Sequence, residues 1–211
     1  MSMVFPQCKS NSYLKIYVEA VLDSLSTDGI YPEERVAEIE ATRNCETRKH
    51  RLSAWRVFAG ALSDLGLDIR NLNVRKLECG KWVCDETFFS ISHSKNLVCV
   101  AVSSENVGVD IQSKEKDYSD AFAKRILTPN EYLRYVKLSE KDKINYIDTS
   151  WCKKESIMKT LNKNAFIPSE IETDEYNLYF ESLNYNQDLY YLSVCSALAD
   201  KMEFVDKKYR F

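Results

Sequence analysis

Between Leu72 and Ile111 the chain consists of short β-branched and aromatic segments, and no fold built of helices alone accommodates such a stretch. Val74 to Leu77, Phe88 to Ser92, Leu97 to Val102 and Val107 to Ile111 are each of strand length. Turn-forming residues separate them at Glu78-Cys79-Gly80-Lys81, Ser94-Lys95-Asn96 and Ser103 to Asn106. These segments predict an antiparallel sheet. Upstream, Leu52, Trp55, Ala59 and Leu62 recur at three- and four-residue steps, which predicts a long amphipathic helix over Cys45 to Leu65 with Gly66 as its C-cap. Its other face gathers Arg48, Lys49, Arg51 and Arg56 with His50 beside them.

Downstream, Thr128-Pro129-Asn130-Glu131 and Ser139-Glu140-Lys141-Asp142 are capping signals, so helices should start at both, the second running from about Glu140 to Leu161. Tyr176 to Leu183, Leu189 to Ser196 and Met202 to Val205 return to strand character. The order is helix then strands, twice, with the division near Ser103. An α+β fold follows, with two similar lobes over residues 1–103 and 104–211, each a small antiparallel sheet packed on a long helix. No residue-level repeat accompanies this similarity.

The bulk numbers exclude several classes. With 29 Lys and Arg against 32 Asp and Glu, the net charge of −3 supplies no global field for a nucleic-acid backbone, and any anion must meet a local cluster. No apolar run approaches the ~20 residues that cross a bilayer, and Met1 to Ser12 has no basic segment followed by an apolar one. A cytoplasmic protein without membrane association is expected. Cys8, Cys45, Cys79, Cys84, Cys99, Cys152 and Cys195 are odd in number and form no CxxC pair, so they read as reduced thiols. His50 and His93 are too few for a histidine metal site.

Three segments carry candidate chemistry. In Trp151-Cys152-Lys153-Lys154-Glu155-Ser156-Ile157-Met158-Lys159, a helix sets Trp151, Glu155 and Lys159 in one row, although an ordinary Glu-to-Lys helix pair has the same spacing. In Val107-Gly108-Val109-Asp110-Ile111-Gln112, Asp110 and Gln112 project from one face of a strand and Gly108 permits close backbone approach; a turn cap is the plainer role for such a carboxylate. In Phe89-Ser90-Ile91-Ser92-His93-Ser94, hydroxyls and an imidazole at a strand end suit phosphate oxygens, and a serine-stabilised turn accounts for the same residues. There is no G-x-S-x-G elbow, and Cys79-Gly80-Lys81-Trp82 lacks Walker spacing.

Taken together, in this order, the three segments resemble the signature of the Sfp-type phosphopantetheinyl transferases: an N-I-S-H-S-like strand end, G-[IV]-D-[IV]-E, and W-x-x-K-E-S-x-x-K some forty residues on. Here they read Ser90 to Ser94, Gly108 to Gln112 and Trp151 to Lys159. The resemblance is densest from Phe88 to Lys159 and extends to His50-Arg51 and Gly80-Lys81. Two departures stand out: Gln112 replaces the usual glutamate, and Asn162-Lys163-Asn164-Ala165-Phe166 stands where the family has a glycine-containing loop.

The resemblance implies a pseudo-dimeric fold with the active site between the lobes. It also implies Mg²⁺-dependent transfer of the 4′-phosphopantetheine group of coenzyme A to a serine of an apo acyl or peptidyl carrier protein, with release of 3′,5′-ADP. Asp110, Glu155 and Gln112 would surround the metal, and Asp110, Glu155 and Lys159 would carry the chemistry, with Glu155 or a metal-bound water as base. Arg51, Lys81, Ser92, His93, Lys154 and Lys159 would contact the coenzyme, Arg51 on its 3′-phosphate side. Ala121, Phe122, Lys124 and Arg125 offer either a carrier-docking surface or a plain core helix. A monomer is expected. The alternatives are a protein of the same fold that binds coenzyme A without transferring, and a nucleic-acid binder resting on Arg43 to Arg56, which the acidic balance opposes.

Overall fold

The computed structural model describes residues 12–205 apart from 79, 116 and 162–164, so residues 1–11, Cys79 and the Asn162–Asn164 turn of the sequence reading lie outside the described residues. The chain opens with a strand, β1 (Leu14–Ala20), then a short helix α1 (Glu33–Glu40) and the long α2 (Cys45–Asp64). Asn44 caps α2 by accepting the Thr47 N–H, and Gly66 takes φ +73° just past its end. A two-stranded ribbon, β2 (Val74–Lys76) with β3 (Trp82–Cys84), leads into β4 (Phe88–Ser94), β5 (Leu97–Ser103) and β6 (Val107–Ser113).

Two short helices follow, α3 (Asp120–Ile126) and α4 (Pro129–Tyr135), and α4 carries the expected reciprocal cap between Thr128 and Glu131. The second long helix, α5, runs Glu140–Leu161 behind a Ser139 side chain that accepts the Asp142 N–H at 3.3 Å. The hairpin β7 (Leu178–Tyr185) and β8 (Asp188–Ser196) and the two-residue β9 (Glu203–Phe204) complete the described chain.

β4, β5, β1 and β9 form one sheet in that order, and β6, β8 and β7 form another. The first sheet departs from the sequence expectation in two ways. It begins with a strand rather than a helix, and β9 runs parallel to β1, pairing Glu203 with Lys15 and Phe204 with Ile16. Only two residue pairs define this contact, and they join opposite ends of the chain, so no local pattern announces it.

Strand alternation then builds four layers. On β5, Val100 and Val102 face Trp55, Phe58, Ala61 and Leu62 of α2. Leu97, Cys99 and Ala101 face the second sheet, where Val107, Val109 and Ile111 of β6 and Tyr190, Leu192 and Val194 of β8 meet them in a shared core. The far side of the second sheet rests on α5: the Cys152 thiol approaches the Asp110 and Tyr191 carbonyls, and the Ser156 and Ser193 hydroxyls are 2.9 Å apart. The order is thus α2, sheet, sheet, α5.

Where the sheets meet, β6 pairs with β8 along one edge only. On its other edge, the N–H groups of Val109, Ile111 and Ser113 donate to the hydroxyls of Ser90, Ser92 and Ser94 at 3.0, 3.2 and 2.9 Å. The three serines lie on one face of β4 because side chains two apart share a face. Buried N–H groups without partners cost about 1–3 kcal/mol each, so this row of hydroxyls is what allows β6 to sit against β4.

Gly108 sets the approach of α5. A Cβ there would stand 1.9 Å from the Ser156 carbonyl oxygen and 3.1 Å from Lys159 Cβ, both fixed by helix backbone. Gly60, within α2, would meet nothing within 4 Å. Gly108→Ala is therefore expected to lose at least the upper end of the ~1–3 kcal/mol typical of overpacking. Gly60→Ala should instead gain roughly 0.5–1 kcal/mol from helix propensity alone. Urea unfolding of both variants checks the pair.

Candidate functional site

Asp110 sits on β6 opposite Ser193 of β8 and projects toward α5 with only 6% of its surface exposed. Its Oδ1 accepts the Ser92 hydroxyl at 2.7 Å and the Lys159 ammonium at 2.9 Å. Its Oδ2 is buried and has no hydrogen-bond partner among the described residues. One carboxylate oxygen is thus held by two donors while the other stands idle, an arrangement that a cation would complete.

Lys159 reaches this carboxylate from the last turn of α5 and also donates to the Val109 carbonyl at 2.8 Å. Lys81, beyond the turn after β2, donates to the Lys159 carbonyl at 2.8 Å and so brings a second ammonium from the first sheet's side. His93, near the end of β4, stacks on His50 of α2 with ring centroids 4.6 Å apart. Burial, then the charges of His50 and Lys159, push the His93 imidazolium down to about 4. The ring is neutral near pH 7, and an anion arriving beside it would favour its protonated form. Arg51 lies within electrostatic reach of His93 and donates to the Thr42 hydroxyl at 2.9 Å.

Glu155, one turn before Lys159, is half-buried. Burial raises its carboxyl above the ordinary range, Lys159 opposes this and Asp110 adds to it, which places the two carboxylates in mutual range. Gln112 is two residues beyond Asp110 on the same strand face and half-buried. No group of three or more His, Cys, Asp or Glu converges among the described residues. Two carboxylates and an amide oxygen are an oxygen donor set of the kind a hard divalent cation takes when phosphate oxygens and water supply the rest.

Two residues expected on the coenzyme are engaged elsewhere. Lys154 has no exposed side-chain surface, and its ammonium donates to Glu131 at 2.5 Å, to the Ile126 carbonyl at 3.0 Å and to the Pro168 carbonyl at 2.9 Å. All three of its donors are spent tying α3, α4 and the segment after α5 to one point, so it offers no charge to a ligand. Ser92 is the second: its hydroxyl proton goes to Asp110. On α3, Ala123 and Ile126 are buried, whereas Ala121, Lys124 and Arg125 are exposed and Phe122 stacks on Tyr118. The core helix and the outward basic face are thus different sides of one element.

One buried charge escaped the sequence reading. Asp148 on α5 is fully buried, accepts the Tyr118 hydroxyl on Oδ1, and has no hydrogen-bond partner on Oδ2 among the described residues. Burial pushes its carboxyl up to about 6, against the Tyr118 hydrogen bond. A carboxylate one turn before Trp151 looks like any helix-surface acid until the segment after β6, which carries Tyr118, covers it.

Comparison with known proteins converges on the same residues. A family model described as the 4′-phosphopantetheinyl transferase superfamily matches residues 106–191, which run from β6 through α5 and β7 to the start of β8. The chain is 32% identical over 139 residues to 4′-phosphopantetheinyl transferase Sfp of Bacillus subtilis, covering 61% of this chain and 62% of that protein. It is 32% identical over 105 residues to 4′-phosphopantetheinyl transferase gsp of Aneurinibacillus migulanus, covering 48% and 44% respectively. A holo-(acyl-carrier-protein) synthase of Mycoplasma genitalium is 36% identical over 72 residues, 31% of this chain and 63% of that one. Each of these alignments covers less than two thirds of the relative's own length. Over residues 106–191 the chain is thus similar to the 4′-phosphopantetheinyl transferase superfamily.

Asp148 gives a pH dependence of defined sign. A carboxyl whose folded value lies above its unfolded one contributes stability that is fully present below about pH 4 and is lost as pH rises through about 6, because the native state holds the proton longer. Between pH 4 and pH 7, Asp148→Asn should therefore gain on wild type by on the order of 2 kcal/mol of unfolding free energy. Parallel unfolding-free-energy profiles across that range check this.

Proposed function

We propose that the chain transfers the 4′-phosphopantetheine group of coenzyme A to a serine of an apo carrier protein and releases 3′,5′-ADP. The observation that carries this reading is the idle, buried Oδ2 of Asp110 beside Glu155 and Lys159. The family match supports it over the same residues. The division into lobes 1–103 and 104–211 belongs to this reading, since Lys81, His93 and Arg51 precede the boundary and Asp110, Glu155 and Lys159 follow it.

In the reaction the serine hydroxyl oxygen bonds to the β-phosphorus, the bond from that phosphorus to the bridging oxygen breaks, and the hydroxyl proton passes to a base. Asp110, Glu155 and Gln112 would hold Mg²⁺, which when bound neutralises pyrophosphate charge and aligns the phosphate oxygens. Glu155 takes the proton at its carboxylate, and the desolvation that raises its pKa makes it a better base than an exposed glutamate. Lys159, with Lys81 behind it, meets the negative charge that develops on the departing 5′-phosphate of 3′,5′-ADP. Neutral His93 donates an N–H to a phosphate oxygen and gains its proton as the anion arrives. Arg51 would meet the 3′-phosphate.

The test is incubation with coenzyme A, Mg²⁺ and an apo carrier protein, read as addition of the phosphopantetheine mass to the carrier. Glu155→Ala should lower the rate by about 10²-fold or more, with an unchanged thermal melt. Turnover above a tenth of wild type would remove Glu155 from the reaction. Coenzyme A binding without any mass added by the wild-type chain would make it a coenzyme-binding protein instead.

Gln112 gives a second expectation. Glutamate has nearly the same shape and adds an anionic oxygen, which Mg²⁺ prefers to an amide. Gln112→Glu should reduce the Mg²⁺ concentration for half-maximal transfer and change the rate at saturating Mg²⁺ little. A magnesium titration of both proteins decides it, and an unchanged requirement would mean that residue 112 points away from the ion.

A further inference from the structure

We propose that Ser92 is a positioning residue for Asp110 and not a ligand of the coenzyme's phosphates. A serine hydroxyl has one proton to give and lone pairs that only accept. The Ser92 proton goes to Asp110 Oδ1 at 2.7 Å, and its oxygen accepts the Ile111 N–H at 3.2 Å, so the hydroxyl is held from both sides within β6. Phosphate oxygens accept hydrogen bonds, and Ser92 has no second proton to offer one.

What the hydroxyl does is fix the rotation of the Asp110 carboxylate. Oδ1 is tied to two donors, Ser92 and Lys159, and Oδ2 is thereby turned into buried space without a partner. Were Ser92 absent, Lys159 would be the one remaining hydrogen bond to the carboxylate among the described residues, and rotation about the last side-chain bond would let both oxygens share it. The idle oxygen would then be lost as a preformed ligand.

The neighbouring serines separate this role from a structural one. Ser90 is buried like Ser92 and accepts a β6 N–H in the same way, from Val109 at 3.0 Å, but its hydroxyl makes no contact with Asp110 among the hydrogen bonds described. The inference rests on Asp110 being a metal ligand, as proposed above, and the experiment tests the two separately.

Free Mn²⁺ is measured by its electron paramagnetic resonance signal as the ion is titrated into each protein with saturating coenzyme A and no carrier. Coenzyme A affinity is measured in metal-free buffer. Ser92→Ala should weaken Mn²⁺ binding about tenfold or more, as removal of a group that orients a metal ligand does, and leave metal-free coenzyme A affinity as in wild type. Ser92→Thr, which keeps the hydroxyl, should restore Mn²⁺ binding, and Ser90→Ala should leave it unchanged. If Ser92→Ala does not fold, Ser92→Cys keeps the bulk with a poor donor and should show the same loss.

Wild-type Mn²⁺ affinity in Ser92→Ala, or a loss confined to coenzyme A affinity, overturns the proposal. An equal Mn²⁺ loss in Ser90→Ala also overturns it, because the effect would then come from the β4–β6 contact in general. Asp110→Ala tests the underlying reading: if it binds Mn²⁺ like wild type, Asp110 is no ligand, and that failure is distinct from failure of Ser92 to orient it.

Discussion

The row of serine hydroxyls on β4 that receives the free edge of β6 is the contact on which the rest of the structure depends. An edge strand presents unpaired N–H groups, and in water they are satisfied at no cost. Here the edge is buried, and Ser90, Ser92 and Ser94 satisfy it at two-residue intervals. Because the period of a strand is two, a slip of one residue in β4 would replace the three hydroxyls by Phe89, Ile91 and His93. The register between the sheets is thus fixed by polar satisfaction as well as by the apolar core behind it.

That register also sets the electrostatics. The first sheet, α2 and the β2–β3 turn bring His93, His50, Arg51 and Lys81, and β6 with α5 bring Asp110, Glu155 and Lys159. Most of the cationic and hydrogen-donating groups are therefore on one side of the joint and both carboxylates on the other. Lys159 is the exception, and it spans the joint's chemistry by binding Asp110 and the Val109 carbonyl while its own carbonyl accepts Lys81. Gly108 matters here because the closeness of α5 to β6 decides whether Lys159 reaches that far.

Much of this was legible in the sequence, because the signals were local. The start of α2 at Cys45, the reciprocal cap of α4 and the full run of α5 from Glu140 to Leu161 follow from capping residues and periodicity. Asp110, Glu155 and Lys159 were named from spacing and resemblance, and the structure brings them together. What was not legible depends on contacts distant in sequence. β1 is central in its sheet, yet Lys15 and Glu19 interrupt its apolar pattern, and the parallel partner β9 is two residues long. Lys154 lies beside Glu155 in sequence but faces a different side of the helix, since successive residues differ by about 100° around its axis, and there α3 and α4 enclose it. Asp148 was missed for the same reason in reverse: only its cover distinguishes it from a surface acid.

The separation of signs across the joint has a consequence for what can bind there. A lone anion would meet Arg51, Lys81 and His93 but also two carboxylates, and a lone divalent cation would meet those carboxylates but also Lys159. On the proposed activity, a diphosphate accompanied by a divalent cation would match both sides at once, with Asp110 Oδ2 available to the metal and the donors to the phosphate oxygens. Each component then reduces the desolvation and repulsion the other would face alone. On the proposed activity, metal and coenzyme should therefore bind with positive coupling, and by linkage each would raise the other's affinity by the same factor. Ser92 enters that coupling through the carboxylate it holds, because the idle oxygen is useful to the pair only while it faces the space they share.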